Sequence, residues 1–354
     1  IKASPINSDF SVRMPSMKKL QNNLYINTQG AYLHKERETL VVEINRQKAA
    51  QLPIHGIGGI FCFGNVLVSP QVMGFCGEHG VHMALFTEYG RFLARIQGKQ
   101  SGNVLLRRAQ FKLVDESSAS IARDIVAAKI QAQKQVLQRQ QRNHGIQQSL
   151  TEQITALNNI LNTLKVTKDI DKIRGYEGDA AARYFSVFDK LLSESAQGFS
   201  FSGRVRRPPT DPINALLSFL YSVLGNDISA ALQGVGLDPQ VGFLHCERPG
   251  RDSLALDLLE EFRAFIADRL VLSLINRKQI KPDDFEISVS GSVCLKDAAR
   301  KLVLQEYQTK KQQKIRHLFL DEEVEIGLLP HVQAMLLARH IRGDLECYPP
   351  FMSK

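Results

Sequence analysis

The apolar periodicity of this chain changes once, and that change constrains its fold more than any other feature. Up to about residue 97 the apolar residues come in short runs punctuated by glycine: LYIN (24–27), TLVVEI (39–44), GIFCFG (59–64), VHMALFT (81–87) and RFLARI (91–96). Runs of that length between turn residues read as strands. One helix is expected among them, with Ser69 as N-cap, Pro70 at the first helical position, and Val72, Met73 and Cys76 at helical spacing. Past Gly98-Lys99-Gln100 the apolar residues recur three and four apart, as at Ile121, Ile125, Ala128, Ala132 and Val136. Further helices are expected over 149–164, 169–193, 211–225, 252–275, 297–315 and 330–341. The Gln-, Lys- and Arg-rich stretch from Gln131 to Gln148, broken at His144-Gly145, reads as a solvated helix end and turn.

The fold class that follows is α+β. A small β-rich N-terminal domain over 17–100 precedes a larger all-α domain over 101–354, with residues 1–16 a patternless flexible arm or an expression remnant. A length of 354 residues agrees with two domains, since single cores cluster near roughly 100–150 residues. No stretch approaches the roughly 18 uninterrupted apolar residues of a membrane span, so an integral membrane protein is not expected. Five scattered cysteines, Cys62, Cys76, Cys246, Cys294 and Cys347, form no CxxC pair and fit neither a disulfide framework nor a thiolate zinc site. With no signal-peptide pattern at the N-terminus, the expected location is the reducing cytoplasm.

Charge narrows the partner. Lys and Arg outnumber Asp and Glu by 45 to 36, a net charge of +9, and such a surplus favours a polyanion. Three basic clusters could supply backbone contacts: Arg107-Arg108, Arg204-Arg206-Arg207, and Lys310-Lys311-Lys314-Arg316. Each alone also reads as a solvated face.

The chemistry is sought where polarity and position disagree. Glu177 has Ile173 and Ala181 four residues away and Ile170 and Tyr184 seven away, an apolar stripe for a carboxylate to occupy. Glu260 is flanked on its own face by Leu256, Ala264, Ser253 and Ala267, while Asp257, Glu261 and Asp268 fall on a separate charged stripe. The opposite face of that helix, including Leu258, Leu259, Phe262 and Phe265, supplies a core. An unpaired carboxylate buried there would be costly, so a cation is expected beside it. His245 stands in the loop GFLHCERPGRDS just before this helix. Two carboxylates and an imidazole suit Mg²⁺ or Mn²⁺, and with it phosphodiester chemistry. The residues equally allow carboxylates paired with Arg174 or Arg251 and a histidine satisfied in its loop. Cys62, Cys76, His79 and His82 have only a loosely zinc-like spacing. HGIGG (55–59) lacks the lysine of a P-loop and reads as a turn, and no GxSxG is present.

Several ordered motifs together resemble a known family: FLARIQGKQSGNVLLRRAQ (92–110), IRGYEGDAAARYF (173–185), RRPPTDPINALLSFLY (206–221), GFLHCERPGRDSLALDLLEEFR (242–263) and the tail ARHIRGDLECYPPF (338–351). They resemble the CRISPR adaptation integrase, the universal metal-dependent endonuclease subunit of spacer acquisition. The likeness covers nearly all of Met17 to Lys354. The opening MKKLQNNLYIN and the tail look most like the subtype I-C branch. The resemblance implies metal ligands at Glu177, His245 and Glu260, with Asp257 as the runner-up ligand because some relatives carry an aspartate near that position. It implies a homodimer formed through the N-terminal domain, and a heterohexamer with a small ferredoxin-like partner. Prespacer DNA would then be joined through its 3′-hydroxyl ends to repeat phosphodiesters. DNA-facing candidates are Tyr176, Arg183, Asn214, Tyr221, Arg248 and Arg251. Two other functions compete: a stand-alone nuclease acting on branched repair intermediates, and a non-catalytic DNA-binding scaffold.

Overall fold

The computed structural model describes residues 22–96, 104–193, 196, 198–206, 208–288 and 291–353. The arm at 1–16, the boundary Gly98-Lys99-Gln100 and Arg207 of the second basic cluster lie outside the described residues. The N-terminal part holds strands β1 (Asn22–Ile26), β2 (Tyr32–Glu36), β3 (Thr39–Ile44), β4 (Gln47–Pro53), β5 (Ile57–Phe63), β6 (Leu67–Val68), β7 (His82–Phe86) and β8 (Phe92–Ile96), with helix α1 (Pro70–His79) between β6 and β7. They form two four-stranded sheets, ordered β1-β5-β7-β8 and β4-β3-β2-β6. In the first, β1, β5 and β7 run parallel and β8 antiparallel.

Alternation along β5 explains why this sheet lies in the middle. Ile60 and Cys62 point to one face, where they join Leu33, Leu40, Val72, Phe75, Cys76 and Met83 in the N-terminal core. Phe61 and Phe63 point to the other and join Ala84, Phe86 and the helices in the main core. Helix α1 begins where expected: the Ser69 hydroxyl accepts from Val72 N at 3.3 Å, and Gly80 closes the helix with φ +66°. Burial pushes the Cys62 thiol up to about 12, with Cys76 adding to the effect, and the Cys76 thiol up to about 11. Both behave as small core side chains.

The remainder is mostly helical: α2 (Val104–His144), α3 (Gln148–Leu164), α4 (Ile170–Phe185), α5 (Pro212–Val235), α6 (Ser253–Phe262), α7 (Arg269–Asn276), α8 (Asp297–Gln312) and α9 (Leu329–Ile341). Two small hairpins also occur, β9 (Phe285–Ile287) with β10 (Val293–Leu295) and β11 (Lys314–His317) with β12 (Glu322–Glu325). The expected helix over 252–275 is interrupted by a π-helical turn, Arg263–Asp268, between α6 and α7. Helix α5 runs to Val235, ten residues past its expected end at 225, and is long and apolar enough to cross a membrane, but Leu216, Leu217, Leu220, Val223 and Leu224 lie in the core.

Two polar ties join the sheet to the helices. Arg95 of β8 donates to Asp252 at 2.7 Å, just before α6, and Asp252 also accepts from Ser229 of α5 at 2.8 Å. Asp227 of α5 accepts from Lys311 at 2.6 Å and Tyr307 at 2.9 Å on α8. The third expected basic cluster is thereby broken up: Lys311 is internal, and Arg316 pairs with Asp321 at 2.7 Å.

Candidate metal and phosphodiester site

Glu177 lies midway along α4, a helix opened by Asp169, whose carboxylate accepts from Asp171 N at 2.9 Å and Lys172 N at 3.3 Å. Its stripe is the apolar one expected, with Ile173 and Tyr184 fully buried. Glu260 lies on α6 and is 1% exposed. The stripe carrying Asp257, Glu261 and Asp268 is a correction: all three are buried. α6 is enclosed on every side, and the π turn shifts the phase after Phe262, so spacing counted across it to Asp268 loses its meaning.

Asp257 organises the histidine loop. Its Oδ2 accepts from Phe243 N at 2.6 Å and Leu244 N at 3.0 Å, while Oδ1 accepts from His245 N at 2.9 Å and pairs with His245 Nδ1 at 2.7 Å. The backbone can come this close because residue 242 is glycine. A Cβ there would meet Asp257 Oδ2 and the Ser253 carbonyl carbon at 2.8 Å each. With its acceptor positions taken by N–H groups, Asp257 is an anchor for His245. Nδ1 being fixed, Nε2 is the free ring nitrogen, and it lies 3.9 Å from Glu260 Oε1.

A lysine stands between the two glutamates. Lys129 comes from the middle of α2 and is 4% exposed. Its ammonium pairs with Glu177 Oε1 and lies 2.7 Å from Glu260 Oε2. Apart from Lys129, Glu260 Oε2 has no hydrogen-bond partner among the described residues. Arg263, one turn beyond Glu260, pairs with Oε1. Burial alone would raise the Glu260 carboxyl, but Arg263, Lys129 and His245 outweigh it and bring the group down to about 2. Neither guanidinium considered from sequence is the partner: Arg174 pairs with Asp171 and donates to Leu244 O at 2.7 Å, and Arg251 makes no ion pair among the described residues.

Beside the glutamates opens a cleft lined by Lys129, Gln133, Arg204, Arg206, Tyr221, Arg263 and Asp268. Tyr221 donates to Asp268 at 2.6 Å and lies under the guanidinium groups of Arg204 and Arg263, at 5.4 and 5.0 Å from its ring centre. Burial raises the Asp268 carboxyl to about 6, against the hydrogen bond from Tyr221. Asn214 is a correction to the DNA-facing set. It is fully buried, accepts from Arg204 at 2.7 Å and Val205 N at 3.0 Å, and thereby fixes an arginine of the cleft. Arg183 pairs with Asp179, Tyr176 is half-buried, Arg248 is exposed on the histidine loop and Arg251 half-buried there.

Among the described residues no three acidic, histidine or cysteine groups close into a metal cage, and the Lys129 ammonium lies between Glu177 and Glu260. The donor set nonetheless fits a divalent cation. Two carboxylates already gather around one positive charge, one of their oxygens has only that ammonium for a partner, and the imidazole has its far nitrogen fixed by a carboxylate. Sequence reasoning singled out Glu177, His245 and Glu260 as candidate ligands and missed Lys129 and Arg263. Lys129 follows Ile125 by four residues on the apolar stripe of α2, so the test applied to the glutamates would have found it.

The family model described as CRISPR associated protein Cas1 matches residues 24–309. The chain is 48% identical over 341 residues to a CRISPR-associated endonuclease Cas1 of Chlorobaculum tepidum, covering 95% of this chain and 99% of that one. Among solved structures, a casposase bound to integration product superposes with a TM-score of 0.79 at 24% identity, covering 93% of each chain. A Cas6-RT-Cas1–Cas2 complex superposes with a TM-score of 0.80 at 23% identity, covering 96% of this chain and 37% of that longer chain. At such identities the two superpositions establish the fold.

Proposed function

Since the chain belongs to the CRISPR associated protein Cas1 family, whose close relatives are endonucleases, we propose that it is a divalent-metal-dependent DNA integrase of CRISPR adaptation. In this reading it joins prespacer 3′-hydroxyl ends to repeat phosphodiesters. The observation that carries this reading is the meeting of Glu177 and Glu260 on the buried Lys129 ammonium, with His245 Nε2 3.9 Å from Glu260. Glu177, Glu260 and His245 Nε2 would hold Mg²⁺ or Mn²⁺. When bound, the ion supplies Lewis-acid stabilisation of charge developing on the phosphate. Asp257 keeps Nε2 bare by holding Nδ1. Arg204 and Arg206, which line the cleft, would take the phosphate, so that the attacking hydroxyl is held in line with it. Cleavage is the same displacement with water as nucleophile.

The neighbouring complex that contains Cas2 supports a small second subunit as partner, here the ferredoxin-like protein of a heterohexamer, with two homodimers of this chain flanking it. The test is a joining assay with purified protein, the small partner, Mn²⁺, a short duplex and a repeat-bearing plasmid. The expected result is half-site joining products that vanish in Glu177→Gln, His245→Gln and Glu260→Gln while each variant remains folded. A nuclease of branched repair intermediates would cut branched DNA and gain no joining product. A scaffold would show no dependence on the three residues.

A further inference from the structure

The metal reading leaves Lys129 unexplained. A buried ammonium between the two carboxylates that would hold a divalent cation occupies charge space the ion needs. A lysine placed only to steady the carboxylates would weaken the site it serves, since its charge and that of the ion repel at short range. The metal-free protein, however, has the opposite difficulty. Glu260 is almost wholly buried, Glu177 shares the same ammonium with it, and two carboxylates left without a counter-charge would repel each other and resist burial. Arg263 meets one oxygen of Glu260 and makes no ion pair with Glu177. Lys129 is the group that bridges both.

We infer that Lys129 is a placeholder cation: it neutralises Glu177 and Glu260 before the divalent ion arrives and is displaced into the adjoining basic cleft when the ion binds. The inference rests on the metal reading above. Three features support it. The lysine stem is held in the wall of α2 and its ammonium is on a flexible end, able to change partners without moving the helix. One ammonium is shared between the two carboxylates, so neither holds it alone. The same side chain borders the cleft with Gln133, whose buried Oε1 has no hydrogen-bond donor. That carbonyl oxygen is a ready acceptor for an ammonium that leaves the carboxylates. Once there, the ammonium joins Arg204 and Arg206 facing the same space, where a DNA phosphate would be drawn in only after the metal is loaded. The exchange makes Lys129 a positioning residue that links metal binding to substrate binding.

The test compares wild type, Lys129→Met and Lys129→Arg, each as purified full-length protein without DNA. It measures Mn²⁺ affinity by calorimetry and thermal midpoint in chelator. Removal of the competing charge is expected to tighten Mn²⁺ binding by about 10- to 100-fold in Lys129→Met, and to lower the midpoint in chelator. The arginine, which can grip both carboxylates through its planar fork, is expected to weaken Mn²⁺ binding relative to wild type. With saturating Mn²⁺, Lys129→Met should bind duplex DNA less tightly although its metal affinity has risen. That opposition is one a purely structural lysine would not produce. Equal or weaker Mn²⁺ binding in Lys129→Met overturns the placeholder role alone. If wild type binds no Mn²⁺, or binds it unchanged after Glu260→Gln, the metal reading falls and takes this inference with it. Should Lys129→Met not fold without metal, the arginine variant decides: tighter Mn²⁺ binding there refutes the inference.

Discussion

Replacing Asp257 by asparagine isolates the anchor of the histidine loop from the ligands themselves. The carboxylate accepts from the backbone of Phe243, Leu244 and His245 and holds His245 Nδ1. An asparagine keeps one acceptor oxygen and turns an NH₂ toward N–H groups, so about two of these buried donors lose their partner. At about 1–3 kcal/mol per unsatisfied buried group, the loss is about 2–6 kcal/mol. A domain holds about 5–15 kcal/mol in total, so the variant should remain folded at room temperature with a clearly lower urea midpoint. The loop relaxes, Nε2 loses its aim at Glu260, and Mn²⁺ affinity should fall by about 10- to 100-fold, the usual cost of removing the partner of a ligating histidine. Urea unfolding in chelator and calorimetric Mn²⁺ titration report the two effects separately. Wild-type Mn²⁺ affinity in a folded Asp257→Asn would refute the assignment of Asp257 as the anchor of a ligand.

Two further outcomes follow from the same geometry. Gly242→Ala puts a methyl against Asp257 Oδ2 and the Ser253 backbone at 2.8 Å, and should cost about 1–3 kcal/mol and weaken Mn²⁺ binding through the loop; an unchanged urea midpoint would show that the close approach is not needed. Asp268→Asn tests the buried acid under Tyr221. The folded protein keeps this proton until about 6 whereas the unfolded chain releases it near 3.8, so the native state loses stability as pH rises between those values. The asparagine variant, permanently neutral, should match wild type near pH 3.5 and exceed it by up to about 3 kcal/mol above pH 6. A difference that does not change with pH would contradict it.

Most strands found from sequence have an apolar core face, while β8 was legible from its apolar run alone, with Phe92 and Leu93 exposed, and the helix at Ser69-Pro70 was legible because its cap, proline and closing glycine are local signals. The strands missed have a different character. β2 and β4, YLHKE and QKAAQLP, are largely polar and lie in the outer sheet with much of their surface in solvent. β11 and β12 are four residues each and rich in charge, too short for alternation to register. Helix α5 was expected to stop at Gly225-Asn226-Asp227 and runs on to Val235. There Gly225 packs near Leu259, and Asp227 finds Lys311 and Tyr307, so tertiary partners override the local breaker signal. The two candidate carboxylates, Glu177 and Glu260, were legible as charges misplaced on apolar stripes, whereas His245 was legible only from its loop and the family resemblance. Of the carboxylates' counter-charges, Lys129 was open to the same stripe test and Arg263 lies three residues from Glu260, but that Lys129 reaches both carboxylates is set only when α2, α4 and α6 pack together, and Asp257, read as part of a charged stripe, is buried once α6 is packed.

Anomalous scattering from crystals soaked in Mn²⁺ tests most directly whether Glu177, His245 and Glu260 share one ion. The account predicts a single strong peak within bonding distance of His245 Nε2 and an oxygen of each glutamate, with the Lys129 ammonium moved away from both carboxylates. Lys129 still seated between the glutamates, with no Mn²⁺ peak beside His245 Nε2, would contradict it.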